Sequence, residues 1–140
     1  MNWQVVLTHL VQLGAAFVLA LPIAWNREKE VRTAGLRTFP LVAVAACGYM
    51  LVGLEVLSST DAEARVMYGV IVGIGFIGGG AILKRHGSVS GTATAASLWN
   101  TGAIGVSVAF HRYEVALVLT LINFLTLLIG GRVKQSELAR

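Results

Sequence analysis

The sequence predicts an all-α, polytopic membrane protein: one compact bundle of five transmembrane helices, N-terminus outside and C-terminus cytoplasmic. Three observations lead there. The 140 residues are 56% hydrophobic and only 13% charged, with a mean hydropathy of +0.74, whereas a soluble domain carries about 25% charged residues. The charges are clumped, leaving 1–26, 38–54, 66–83, 86–111 and 115–131 free of Asp, Glu, Lys and Arg. Each stretch approaches or exceeds the roughly 17 to 25 residues a helix needs to cross about 30 Å of hydrocarbon. Basic residues, finally, alternate between rich and poor connections, as they do in multi-pass chains. No soluble portion is large enough to hold its own core, so 1–140 reads as a single domain.

The first span is expected at 3–25. Its start carries no Lys or Arg and no small-x-small cleavage site follows the apolar run, so it reads as a retained anchor, not a secretory leader. Trp3 and Trp25 stand near its ends, where indole rings favour the headgroup level. Gln4, Thr8 and Gln12 recur every fourth residue, with His9 beside them, a row suited to bonding between helices. Pro22 removes a backbone donor and is expected to kink the inner end. In the second span, 38–57, Pro40 falls in the first turn, where that loss matters little. Cys47 is the only cysteine and reads as small apolar filler.

The third span, 66–84, poses the central question. Glycine in a helix interior costs roughly 1 kcal/mol relative to alanine, yet Gly69, Gly73, Gly75, Gly78, Gly79 and Gly80 crowd this one run. At 100° per residue, Gly69, Gly73 and Gly80 form one narrow stripe, with Gly75, Gly78 and Gly79 on a broad, roughly opposite face. Both Gly69-x-x-x-Gly73 and Gly75-x-x-x-Gly79 have the spacing that permits close backbone approach in lipid. The expectation is a helix sandwiched between neighbours. A glycine-lined conduit, a helix unwound at Gly78–Gly80, and a homodimer face are the alternatives.

The fourth span, 92–110, supplies a complementary surface. Ala93, Thr94, Ala96, Ser97, Asn100, Thr101 and Gly105 spread over about half of its wheel, leaving Leu98, Trp99 and Val106 toward lipid. Asn100 lies near mid-membrane, where an unpaired amide is costly. It therefore bonds to a neighbouring helix or to water, or serves a permeation or regulatory site. The fifth span, 113–131, carries Thr120, Asn123 and Thr126, a further row of interhelical glue.

Orientation follows because Lys and Arg resist translocation. Arg27, Lys29, Arg32 and Arg37 join the first two spans, Lys84 and Arg85 the third and fourth, and Arg132, Lys134 and Arg140 follow the fifth, against only Arg65 and Arg112 opposite. The net charge of +4 is thus a topology signal; the basic rim attracts anionic headgroups, and no nucleic-acid partner is expected. Glu55, Asp61, Glu63 and Glu114 on the other side would attract Mg²⁺, but their spacing matches no metal loop. Solvated surface or an Asp61–Arg65 helix pair is the preferred reading, with no metal or cofactor assigned. There is no nucleophile with an adjacent base, and the glycine run lacks the Lys-Ser/Thr of a phosphate cradle; no enzymatic activity is expected.

Three segments carry a family resemblance: "AGLRTFPLVA" from Ala34, "DAEAR" leading into "GVIVGIGFIGGGAILK", and "VSGTATAASLWNTGAIGV" from Val89. In order, spacing and topology, nearly the whole chain resembles the membrane domain of the MgtC/SapB family. The resemblance implies a bacterial inner-membrane protein linked to growth in low Mg²⁺ and, in several pathogens, to survival inside macrophages. It implies a regulatory protein more than a transporter, with the membrane ATP synthase the proposed partner in some members. Position by position it highlights Arg37, Asp61, Arg65, Gly73, Gly75, Gly78 and Thr94. Many members have Glu-Arg where this chain has Asn26-Arg27, a glutamine is frequent at Gly69, and the virulence-associated type has cysteine at Asn100. The soluble C-terminal domain that larger members append is expected to be absent after Arg140.

Two functions follow from this reading. In the first, the bundle binds another membrane protein, or itself as a homo-oligomer, and modulates it. In the second, an oligomer forms a small carrier or channel for Mg²⁺ or another cation, with Asn100 and Thr94 lining the path.

Overall fold

In the computed structural model, which describes residues 2–30, 34–85 and 88–138, every charge-free stretch contains a helix. The order is α1 (Trp3–Glu30), α2 (Thr38–Val56), α3 (Thr60–Gly80), a hairpin of β1 (Leu83–Arg85) and β2 (Ser88–Ser90), α4 (Thr92–Ala109) and α5 (Tyr113–Leu138). Four of the helices, α1, α2, α3 and α5, are long and apolar enough to cross a membrane. The fifth, α4, has 18 residues and no charge but falls short on hydropathy because it is rich in small and polar residues, of which Thr94, Ser97, Thr101, Gly102 and Gly105 are buried, whereas Ala93 and Ala96, expected on its protein-facing side, are exposed. It packs against all four other helices, which cover much of its surface.

Several element ends differ from expectation, each for a local reason. The first helix continues past 25 to Glu30 and runs unbroken through Pro22; its last turn holds Arg27 and Lys29, which suit a helix C-terminus. The third begins at Thr60, because the Ser59 side chain accepts from the Ala62 N–H at 3.3 Å and Asp61 and Glu63 fill the first turn, a capped and charge-matched start. It stops at Gly80, after three successive glycines. The next residues pair antiparallel, Leu83 with Ser90 and Arg85 with Ser88, so a hairpin replaces the expected helix end at 84. The last helix extends beyond 131 to Leu138.

The core is made of small side chains with a few large plugs. Ala16, Ala20, Ile23 and Ala24 of α1 meet Phe39, Ala43, Ala46, Cys47 and Met50 of α2, and Leu98, Ile104 and Val108 of α4. Leu98 therefore faces protein, at 1% exposure, and not lipid as the wheel of α4 suggested; Trp99 is the outward residue of that pair. Outside, Leu7, Val11 and Val18 of α1, Val52 of α2, and Leu117, Ile122 and Ile129 of α5 are exposed. This apolar periphery is a surface for lipid.

The centre of the bundle is set by α4 and two of its glycines. A Cβ on Gly105 would run into the carbonyl oxygen of Ala43, and also meet the Ala43 carbonyl carbon and the Ala46 Cβ at 3.0 Å. Helix α2 thus crosses α4 in backbone contact. A Cβ on Gly102 would collide with Ile74 Cδ1, so the Ile74 side chain of α3 seats in the notch that Gly102 leaves.

The far end of α4 is closed by a helix-terminating turn. His111 has φ 58°, its N–H donates to Val108 O at 3.0 Å, and the Arg112 N–H donates to Ser107 O at 2.8 Å, the paired bonds of a Schellman cap. From α1, the Gln12 amide donates to Ala109 O at 3.4 Å and Val108 O at 3.5 Å, tying α1 to the C-terminal end of α4. That end also holds the His9 Nε2–Glu55 Oε1 contact of 2.9 Å between α1 and α2.

Candidate functional site

The glycine run of α3 lies at the edge of the bundle, packed principally on α2 and α4. Only Val70, Ile74 and Gly78 are buried, a stripe with helical spacing that faces α4. Gly78 would bring a Cβ to 3.2 Å from Ala95 O and marks a real close approach. Gly69, Gly73, Gly75, Gly79 and Gly80 have nothing within 4 Å of an added Cβ. The expected sandwich is therefore corrected: within one chain α3 is covered on one side, because the knob that docks it is Ile74 and the receiving notch is Gly102. Nor is the run unwound, since Gly78–Gly80 remain helical.

Two open glycine surfaces result. Gly69 and Gly73 line an apolar groove of about 640 Å³ between α2 and α3, with Leu41, Ala45, Tyr49 and Ile77 on its walls. Gly75 and Gly79 lie on the outer face beside the exposed Tyr68 and Val72. Phe76, 85% exposed, projects between the two stripes. An apolar groove floored by glycine backbone admits another helix closely, and this is the geometry that lipid-embedded helix pairs use.

The polar residues of α4 are turned inward and mostly partnered. The Ser97 hydroxyl donates to Asn123 Oδ1 at 2.9 Å, the Thr101 hydroxyl to Ser97 O at 2.8 Å, and the Asn100 amide to Leu119 O at 3.2 Å. From α5, the Thr120 hydroxyl reaches Leu19 O at 3.1 Å. Asn123 Nδ2 is the one buried side-chain N or O among the described residues without a partner. Ser97→Ala removes the remaining bond to Asn123 and is expected to lower stability by about 1–3 kcal/mol, the penalty for an unpaired buried polar group. Ser107→Ala loses only a bond within α4 and should stay within about 0.5 kcal/mol; thermal denaturation in detergent compares them.

The remaining sequence candidates separate into two groups. At one end of the bundle Arg27 is buried, with Nε and Nη2 donating to Asn26 Oδ1 at 3.3 and 2.9 Å and Nη2 to Glu30 Oε2 at 3.1 Å. Thr94, at 1% exposure, lines the same cavity. Arg37 is exposed in the position before α2, with no side-chain capping bond. At the other end Asp61 and Arg65 are both exposed, and the ion pairs among the described residues are His9–Glu55, Arg27–Glu30 and Arg112–Glu114, so the Asp61–Arg65 pair is corrected. No group of three His, Cys, Asp or Glu among the described residues is placed to hold a metal. The sequence placed Gly105 on the protein-facing side of its span but gave no sign of Gly102 and Ile74; the signal was there in Gly102-x-x-Gly105 on one span and Ala43-x-x-Ala46 on another, small pairs one helical turn apart.

Apolar helices with an apolar periphery, a charge-poor interior and a small-residue core define a polytopic membrane protein in contact with the bilayer. The MgtC family matches residues 13–136, and the chain belongs to that family. It is similar to protein SrpB of Synechococcus elongatus, 34% identical over 129 residues, covering 83% of this chain and 71% of that one. With protein MgtC of Salmonella typhimurium it shares 36% identity over 114 residues, 81% of this chain and 48% of the relative. With protein MgtC of Brucella abortus it shares 38% over 106 residues, 76% and 44%. The chain thus spans about half the length of the MgtC relatives. No solved structure matches it.

Proposed function

We propose that the chain is a regulatory protein of the bacterial inner membrane, serving adaptation to low magnesium, that acts by binding another membrane protein without catalysing a reaction. The observation that carries this reading is the open space at Gly69, Gly73, Gly75, Gly79 and Gly80 in a bundle whose own crossings use other glycines. Glycine left bare in a helix interior costs stability, and a second helix pressed against it offsets that. The groove and the Phe76 ridge suit either a foreign transmembrane helix or α3 of a second copy, so the reading includes self-association. The membrane ATP synthase is a partner by family resemblance alone. The basic end carrying Arg27, Lys29, Arg37, Lys84 and Arg132 would face the cytoplasm.

The competing reading is an oligomeric carrier or channel for Mg²⁺ or another cation. Against it stand the bonds of Asn100, Ser97 and Thr101, which tie these groups to the bundle. The test is flux: the purified chain in liposomes is expected to pass Mg²⁺ and monovalent ions no faster than protein-free vesicles. A flux that Asn100→Leu abolishes would replace this proposal with the transporter.

A further inference from the structure

At the basic end of the bundle, α4 begins in a way that leaves its first amides without partners. Its N-cap is Gly91, at φ 85°, with no side-chain cap. The usual Ser, Thr, Asp or Asn cap is excluded there, because a Cβ would run into the Ala81 carbonyl oxygen. The neighbouring Ser90 hydroxyl is committed to Leu83 O at 3.4 Å. The first hydrogen bond of the helix is donated by Ala95 to Gly91 O at 2.9 Å, so the N–H groups of Thr92, Ala93 and Thr94 have no helical acceptor.

These amides border a cavity of about 620 Å³ whose walls include Arg27, Glu30, Gly91, Thr94 and Thr126, a size typical of small-ligand sites. Thr94 is 1% exposed, and its hydroxyl takes no hydrogen bond among the described residues, yet it is not among the atoms sealed in protein. It opens on the cavity it lines. Arg27 is 5% exposed and uses Nε and Nη2 for Asn26 and Glu30, leaving Nη1 without an acceptor among the described residues. Thr126 is satisfied within α5, donating to Ile122 O at 2.8 Å.

We infer that this cavity binds a phosphate-type oxyanion, a phospholipid headgroup or free phosphate, through Arg27, the Thr94 hydroxyl and the amides of Thr92, Ala93 and Thr94. A guanidinium, a hydroxyl and a helix start converge as donors, the chemistry an oxyanion needs. The opposing charge is Glu30, the counter-ion of Arg27; its side chain is 37% exposed against 6% for Arg27, so it sits at the rim, where an incoming anion displaces it toward water. Trp25, 55% exposed, with Lys29 Nζ 5.0 Å from its ring, marks the headgroup level within one turn of Arg27.

The test uses the purified full chain in an uncharged sugar detergent, with apparent Kd read from ligand-dependent thermal shifts. One arm titrates inorganic phosphate, a second short-chain phosphatidylglycerol, and a third diacylglycerol, which has tails and no phosphate. A shift with phosphatidylglycerol alone makes the ligand a lipid headgroup; a shift with inorganic phosphate makes it free phosphate; either supports the site. Thr94→Val and Arg27→Gln are expected to weaken binding about tenfold, near the loss of one charge-assisted bond. Glu30→Gln is expected to tighten it by a similar factor, and Lys84→Gln on the exposed hairpin to change it less than about twofold. If Arg27→Gln does not fold, the opposite signs of Thr94→Val and Glu30→Gln still decide. No shift with either phosphate compound, an equal shift with diacylglycerol, a weakening by Glu30→Gln, or equal losses from Lys84→Gln and Thr94→Val would overturn the inference.

Discussion

Gly105→Ala is expected to destabilise the isolated chain by about 3 kcal/mol, the upper end for overpacking a well-filled core, and Gly105→Leu to prevent folding. The added Cβ meets the Ala43 carbonyl and the Ala46 Cβ, both fixed to the backbone of α2, so relief requires α2 to move away from α4. That movement would open the contact between Phe39, Ala43, Ala46 and Met50 on one side and Ile104 and Val108 on the other. Gly73→Ala supplies the contrast. With nothing within 4 Å of its Cβ, it should be neutral or gain up to about 1 kcal/mol from better helix propensity. Thermal melts in one detergent compare the two, and equal losses would mean that α3 is covered within the single chain after all.

Gly73→Leu is expected to abolish association in membranes, weakening it at least about tenfold, while leaving the helical content and thermal midpoint of the isolated chain unchanged. The new side chain projects into the groove between α2 and α3, where the incoming helix must approach the glycine backbone. Holding that helix off by one leucine forfeits the dispersion contacts on which pairing in lipid depends, and a loss of 1.4 kcal/mol is already tenfold. Gly75→Leu tests the outer face in the same way and separates the two stripes. The readout is energy transfer between labelled copies in proteoliposomes, together with co-isolation from native membranes against a Leu117→Ala control on the lipid-facing side of α5. Retained association in both leucine variants would remove α3 as the interface.

Much of the fold was legible because charge cannot be left in hydrocarbon. The gaps between charged residues marked each helix, and the small residues of α4 marked the helix that protein covers. The hairpin at 83–90 was not legible, since three-residue strands show no periodicity and three glycines ahead of them look like more helix. The candidate site was half legible. A glycine stripe says where a backbone can be approached, not which neighbour approaches it; that depends on bulk elsewhere. Here Ile74 and Gly102 fit α3 to α4 along the Val70–Ile74–Gly78 stripe, and the more conspicuous Gly69–Gly73 and Gly75–Gly79 pairs remained uncovered. Arg27 likewise gave no hint of burial, sitting as it does among Asn26, Glu28 and Lys29 in a charged run; the fold places it on a cavity shared with the hairpin and α5.

The central claim is that α3 presents its bare backbone to another protein helix within the bilayer. A photo-crosslinking amino acid placed at Gly73, at Phe76 and, as control, at Leu117 tests it most directly, with irradiation of cells grown in low magnesium and products resolved by mass. The account predicts a discrete adduct from Gly73 and Phe76, either twice the chain mass or the chain plus one partner, and none from Leu117. Adducts to lipid alone from all three positions would contradict it.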